Sequence, residues 1–169
     1  TTSYSEASSN RFATGDILPK VYGGFGTSLT FHGFDFSIAF AYQLGGRVLD
    51  YTYQSLMSTD AQGSAWHVDM LNAWTPENPD TDIPRAVSGD PNKNSRTSTR
   101  FVENGDYLRL NNLQIGYNLP VKYCKKMGLS NLRIYVGATR LFTITNYKGY
   151  DPSTGSSVGQ MGYDYAAIP

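Results

Sequence analysis

The sequence predicts an all-β chain built from a few unusually long antiparallel strands. Three observations carry that expectation: period-two alternation of large apolar and small or polar residues, a composition rich in glycine and aromatics, and tight-turn dipeptides between the alternating runs. Among 169 residues stand 17 Gly, 13 Tyr and 8 Phe, with only 17% charged, a balance that suits pleated strands better than helices.

The first alternating run covers about residues 20–31, where Val21, Phe25, Leu29 and Phe31 fall on one side and Tyr22, Gly24, Gly26, Ser28 and Thr30 on the other. The second, about residues 34–47, is cleaner. Phe34, Phe36, Ile38, Phe40, Tyr42 and Leu44 form a wholly large, apolar face, opposite Asp35, Ser37, Ala39, Ala41 and Gln43. His32-Gly33 between the two runs is short enough to close a hairpin. Strands of soluble proteins usually run about five or six residues. Runs of ten or more have the length that a tilted strand needs to cross a bilayer, and Tyr42 and Phe34 stand where interfacial aromatic girdles would lie.

Alternation stops at residue 48. Through residue 105 the chain reads as a long loop with room for a short helix or two, using Leu56, Trp66, Met70, Leu71 and Trp74 as apolar contacts. Pro76, Pro79, Pro84 and Pro91 exclude a continuous strand there. A connection of that length departs from the usual few residues and is expected to be functional. Strand character returns at about residues 106–119. Leu113, Ile115, Tyr117 and Leu119 suit one apolar face, but Leu108 and Leu110 fall on the opposite side, so the run needs a bulge or emerges beyond the bilayer. A short basic connection, with Lys122, Lys125 and Lys126, leads to a fourth strand at about residues 131–142. There Leu132, Ile134, Val136 and Ala138 would face outward and Arg133, Tyr135, Gly137 and Thr139 inward. Residues 1–19 and 143–169 read as further loops.

Charge narrows the function classes. Fourteen basic and fourteen acidic residues leave no net field to attract nucleic acid. Cys124 stands alone, so no intramolecular disulfide or Cys-pair metal site can form, and its reading is a small residue beside a turn. His32 and His67 lie far apart and outside any metal-binding spacing, so no metal and no cofactor is expected. The serines lie outside a GxSxG arrangement, and Asp80 and Asp82 sit in a proline-rich loop without a positioned partner. An enzyme is therefore not expected. The GYDPSTG stretch around Asp151 matches a calcium loop only in part, since the spaced carboxylates and closing Glu are missing.

Three long motifs, in order, resemble a known family. Trp74-Thr75-Pro76-Glu77-Asn78-Pro79 followed by Asp82-Ile83-Pro84-Arg85 resembles the WTPENPNTDIPR signature of SusC/RagA-type TonB-dependent transporters of Bacteroidetes. Arg100-Phe101-Val102-Glu103-Asn104-Gly105-Asp106-Tyr107-Leu108-Arg109-Leu110, with Asn112-Leu113 and Gly116-Tyr117, is similar to the family's RFVEDGSYLRLKNLTLGY. Leu141-Phe142-Thr143 through Lys148-Gly149-Tyr150-Asp151-Pro152 is similar to NLFTITKYKGYDP, with Arg140 in place of Asn, and Gly33-Phe34-Asp35 resembles the KGFDL element of a periplasmic hairpin. Matches run from about residue 11 to the end.

The resemblance implies part of a 22-stranded antiparallel transmembrane β-barrel in the bacterial outer membrane, comprising four long strands and long extracellular loops. It also implies import of glycan or peptide oligomers, a SusD-like surface lipoprotein as lid, and energy delivered by TonB, ExbB and ExbD to a plug domain. The family's plug, TonB box and final strand have no counterpart here, so the sequence is expected to be a fragment. Four strands cannot close a barrel, and open edges in hydrocarbon would leave backbone groups unpaired at several kcal/mol each, so the remainder of the transporter must complete it. On this basis Trp66, Trp74, Tyr147 and Tyr150 are candidate contacts to lid or substrate, because flat amphipathic rings stack on sugars or pack against proteins. Asp35, Gln43, Gln114 and Arg133 are candidate contacts to lumen or plug. Packing of the aromatics among the loops themselves is the competing expectation, and a soluble β-sandwich binding carbohydrate through Trp66 and Trp74 is the alternative fold.

Overall fold

A computed structural model describes residues 9, 12–60, 63–153 and 163–164. The chain divides into two compact units. One gathers residues 19–46 and 105–146, and the other gathers residues 1–18, 47–104 and 147–169.

The first unit is a single antiparallel sheet. Strands β1 (Val21–Phe31) and β2 (Phe34–Leu44) pair along their whole length, from Val21 opposite Leu44 to Phe31 opposite Phe34. The two-residue turn joining them holds His32 at φ 47° and Gly33 at φ 90°. Positive φ at both central residues matches the twist of the flanking strands. A side chain at Gly33 would also stand 2.9 Å from the Asn118 carbonyl oxygen. Strand β5 (Tyr107–Asn118) pairs with β2, and β6 (Arg133–Thr139) pairs with β5, giving the order β1-β2-β5-β6. The short β7 (Thr143–Thr145) continues along β5 beyond β6.

Register explains the broken alternation of β5. Ile38 faces Leu113 and Ala39 faces Asn112, but Phe40 faces Leu110, so Asn111 is an extra residue in a bulge. One inserted residue reverses the side of everything beyond it. Leu108 and Leu110 therefore join Leu113, Ile115 and Tyr117 on one face, together with Phe36, Ile38, Phe40 and Tyr42 of β2 and Ile134, Val136 and Ala138 of β6. A matching irregularity falls on the neighbouring strand, where Arg140 takes φ 50° and β6 gives way to β7.

This apolar face is largely open. Phe25, Leu29, Phe31, Phe34, Ile115 and Ile134 are all exposed, and Val136 is 76% exposed. Phe25 stacks on Phe40 at 5.1 Å between ring centroids, and Phe34 lies 4.5 Å from Tyr117 beside the tight turn. Eleven residues of β2 at about 3.3 Å each, tilted by about 40°, give a band roughly 25 Å tall, the height of the apolar belt of a transmembrane barrel. Strand β2 ends sooner than its pattern predicts. Gly45 turns the chain at φ 88°, so the strand expected to reach residue 47 stops at Leu44, and Arg47 begins a strand of the other unit.

In that second unit, the segment expected as a loop carries its own small sheet. Strands β3 (Arg47–Asp50) and β4 (Val102–Asn104) are antiparallel, and β8 (Tyr163–Asp164) lies parallel to β3. Helix α1 (Tyr51–Leu56) starts at Asp50, whose carboxylate accepts the Tyr53 N–H at 2.7 Å as an N-cap. Short 3-10 helices span Val68–Asn72 and Thr99–Phe101. Phe101, wholly buried, centres a core with Val48, Met57, Ala73 and Tyr147. Asp90 pins the proline-rich stretch. Nearly fully buried, its carboxylate accepts the N–H groups of Asn94 and Ser95, each at 2.8 Å, and the Ser95 hydroxyl at 2.5 Å. Burial alone would raise this carboxyl's pKa. The hydrogen bonds from Ser95 and Asn94 outweigh that and hold it below the usual range.

Between β5 and β6 the connection is itself helical: α2 (Val121–Lys126) sits on the buried Cys124, whose Sγ lies 3.5 Å from the Leu119 carbonyl oxygen that accepts its hydrogen. Among the described residues no helix is long and apolar enough to cross a membrane.

Candidate functional site

Two surfaces carry the polar groups that sequence reasoning singled out, one in each unit. In the sheet unit, Asp35, Gln43, Gln114 and Arg133 all lie on the face opposite the apolar one. Asp35 stands in register with Gly116, Gln114 with Ser37 and Gly137, and Arg133 with Asn118.

The fold brings two of the four together. Arg133 Nε donates to Asp35 Oδ1 at 3.1 Å while its Nη2 reaches Oδ2, a paired contact between β2 and β6 that passes over the intervening β5. It can do so because β5 has Gly116 at the crossing point. A Cβ there would lie 2.6 Å from both Asp35 carboxylate oxygens. Asn118 Nδ2 adds a 3.3 Å bond to Asp35 Oδ1, and the Arg133 guanidinium lies over the Tyr135 ring at 5.2 Å. Gln114 sits one step along the same face. Gln43 does not join them, since it lies eight residues up β2, facing Tyr22 and Tyr107.

Sequence reasoning missed Arg109. The Asn111 bulge turns it onto the polar face opposite Ala41, where it is almost fully buried, donates from Nε to Thr143 Oγ1 at 3.0 Å and stacks 5.0 Å over Tyr107. An arginine among leucines on a nominally apolar side was the available signal.

The four aromatic candidates scatter within the second unit. Trp66 is half exposed, Trp74 is more than a third exposed and Tyr150 is 80% exposed. Tyr147 is buried, its ring lying directly on Gly149, which corrects the expectation that it offers a surface ring. Only Tyr150 borders the unit's main cleft, a space of about 620 Å³ whose other walls include Tyr53, His67, Asp69, Arg100 and Lys148.

Inside that cleft Tyr53, Asp69 and His67 are tied to one another. Tyr53 Oη donates to Asp69 Oδ2 at 2.9 Å, and the Asp69 N–H donates to His67 Nδ1 at 3.2 Å. His67 meets the Tyr53 ring edge-on at 4.8 Å. Burial, then the bond to Asp69, pushes the Tyr53 phenol up to about 12, so it stays a neutral donor. His67 Nδ1 accepts from the backbone, and the cleft's remaining polar side chains together with the Tyr150 ring suit a ligand held by hydrogen bonds and stacking. Among the described residues no group of three His, Cys, Asp or Glu converges as a metal ion would require. The Asp151 carboxylate accepts the Ser153 N–H and hydroxyl, which is a local turn.

An open antiparallel sheet with one largely apolar face, one polar face, a tight turn at one end and a long excursion at the other has the form of a β-barrel segment. Comparison with known proteins gives the same class. No family model matches the chain. TonB-dependent receptor P3 of Formosa agariphila is 36% identical over 170 residues, covering 96% of this chain, and TonB-dependent receptor SusC of Bacteroides thetaiotaomicron is 25% identical over 154 residues, covering 90%. The solved RagAB peptide transporter superposes with a TM-score of 0.68 at 30% identity over 88% of the chain, and the RagAB importer in its open-open state with 0.65 at 29% over 86%. The chain is homologous to the barrel of SusC/RagA-type TonB-dependent receptors, and it spans about 16% of the length of the first of these relatives. By their names these relatives are TonB-dependent receptors and a peptide importer.

Proposed function

We propose that this chain is wall and rim of a TonB-dependent importer seated in the bacterial outer membrane, taking up oligomeric nutrients, glycans or peptides, and having no catalytic role. One observation carries the reading: the predominantly apolar face running across β1, β2, β5 and β6 at the height of a hydrocarbon core. Lipid is its natural cover. The polar face with Asp35, Gln43, Gln114, Arg133 and Arg109 then looks into the lumen, where the plug of the remaining chain would sit against it.

Topology supports the assignment of the rim. The tight turn at His32-Gly33 and the α2 connection lie at one end of the strands, and the excursion from Gly45 to Asp106 leaves from the other. Short turns are periplasmic and long loops external in such barrels. The second unit accordingly supplies Trp66, Trp74 and Tyr150 as contacts for a SusD-like lipoprotein lid or for substrate. Force would reach the barrel through the plug, by way of TonB, ExbB and ExbD, with these strands as the rigid frame. Its balanced charge gives nucleic acid no purchase. A soluble sandwich is disfavoured, because the proteins this chain resembles in sequence and structure are TonB-dependent receptors and a peptide importer.

The test is to solubilise the outer membrane in mild detergent, purify the complex containing this chain and identify its polypeptides by mass spectrometry. Plug-bearing polypeptide and a lid lipoprotein are expected, whereas a soluble, solitary monomer would overturn the proposal. Deleting Asn78 to Ser95 should weaken lid co-purification more than barrel assembly.

A further inference from the structure

We propose that the β5–β6 connection, residues 120–130, is a docking surface for anionic phospholipid headgroups of the leaflet facing the periplasm. The inference rests on the outer-membrane reading above.

The connection is too decorated for a plain turn. Cys124 is wholly buried and anchors α2, while Val121, Lys122, Tyr123, Lys125, Lys126, Met127 and Leu129 are all exposed. Four large apolar side chains and three lysines thus stand exposed within one short connection. The pairing of β5 and β6 continues to Leu119 and Leu132, joined by a bond from the Leu119 N–H to the Leu132 carbonyl, so the exposed apolar residues follow directly on the apolar belt. A surface continuing that belt just past its edge lies at headgroup level, where Tyr rings and lysine stems are at home.

Charge selects the headgroup. From Tyr107 to Tyr150 the chain has no Asp or Glu at all, so nothing near in sequence offsets Lys122, Lys125 and Lys126. The neighbouring cation, Arg133, is committed to Asp35. Helix stability does not account for the pattern. Lys125 and Lys126 stand in the last turn, where cations are welcome, but Lys122 stands in the first turn and shares a helix face with Lys126, a like-charge pair one turn apart. A surface of phosphates would offset that repulsion, and clustered lysines beside a membrane-embedded element recognise such a surface.

The test uses the intact transporter reconstituted with photoactivatable phosphatidylglycerol or phosphatidylcholine, with crosslinks mapped by peptide mass spectrometry. Wild type should crosslink phosphatidylglycerol in preference to phosphatidylcholine on residues 120–130. Replacing Lys122, Lys125 and Lys126 by Gln should lower that preference by about five-fold per lysine at low salt. Replacing all three by Arg should retain it. Equal labelling by both lipids, or an unchanged preference in the Gln variant, would overturn the inference. So would loss of the preference in the Arg variant, which would mean that charge is not the cause. Acyl-chain crosslinks to Phe36, Ile38 and Ile115 report separately on the barrel. Their presence without a headgroup preference at the turn removes only this proposal, and their absence removes both.

Discussion

Placing arginine at Ile38 and, separately, at Ser37 asks which face of β2 meets hydrocarbon. The two residues are adjacent in sequence and fall on opposite faces, so propensity and strand position are nearly matched. Ile38 pairs with Thr27 on one side and Leu113 on the other, four residues from Phe34 and six from Leu44. At about 3.3 Å per residue and a tilt of about 40°, it lies roughly 10 Å from one edge of the belt and roughly 15 Å from the other, close to the midplane. Arginine on the lipid face at that depth costs about 2–4 kcal/mol. Ser37 has Ser28 and Gln114 as cross-strand neighbours, a polar setting that tolerates a charge within about 0.5 kcal/mol. The assay is guanidinium unfolding of the intact transporter in lipid vesicles, scored by the mobility difference between folded and unfolded barrel on gels. Ile38→Arg should shift the midpoint strongly and Ser37→Arg hardly at all. Equal, small shifts would refute the assignment of faces, because a sheet in water would accept either charge.

Other consequences follow from the polar contacts. Gly116→Ala places a Cβ against the Asp35 carboxylate and should lower the melting temperature of the barrel. Combining it with Asp35→Ala should recover part of that loss, as contact between the two positions requires. Asp90→Ala leaves the Asn94 and Ser95 N–H groups without their acceptor, at a cost of about 2–4 kcal/mol to the loop unit, readable as faster hydrogen exchange at those amides. Because Asp90 titrates lower when folded, its contribution is complete above the unfolded value of about 3.9 and disappears as pH falls through the folded one, so the protection of those amides, relative to their intrinsic exchange rate at each pH, should fall in acid. Tyr53 shifts the opposite way. Its stabilisation is full below about pH 10 and declines as pH rises toward about 12, and Tyr53→Phe should flatten that alkaline slope.

Legibility in the sequence tracked how local each cause was. β1 and β2 were readable because alternation runs uninterrupted and the turn between them is two residues long. The lower half of β5 was readable for the same reason, and Leu108 and Leu110 signalled that something must intervene. Only the pairing with β2 could show that Asn111 does so, and with it that Arg109 points inward. Gly45-Gly46 marked the end of β2, which the expected boundary at residue 47 overran by three residues. The small sheet of the second unit escaped notice because β4 has three residues, β8 has two, and their common partner β3 is far from both in sequence. Asp35 and Arg133 were each placed on the polar face, yet their contact spans 98 positions and depends on a glycine in a third strand. Tyr147 looked like its neighbour Tyr150, and only packing over Gly149 separates the buried ring from the exposed one.

The most direct test of the central claim is electron paramagnetic resonance accessibility along β2. Single nitroxides would be placed at each position from Phe34 to Leu44 of the intact transporter in liposomes, in a Cys124→Ser background. The account predicts period two: high collision with oxygen and low collision with a water-soluble nickel chelate at Phe36, Ile38, Phe40 and Tyr42, and loss of that lipid signature at Ser37, Ala39 and Ala41. Nickel accessibility at Ile38 and Phe40 equal to that of a surface loop would show that this face meets water, and the barrel account would fall.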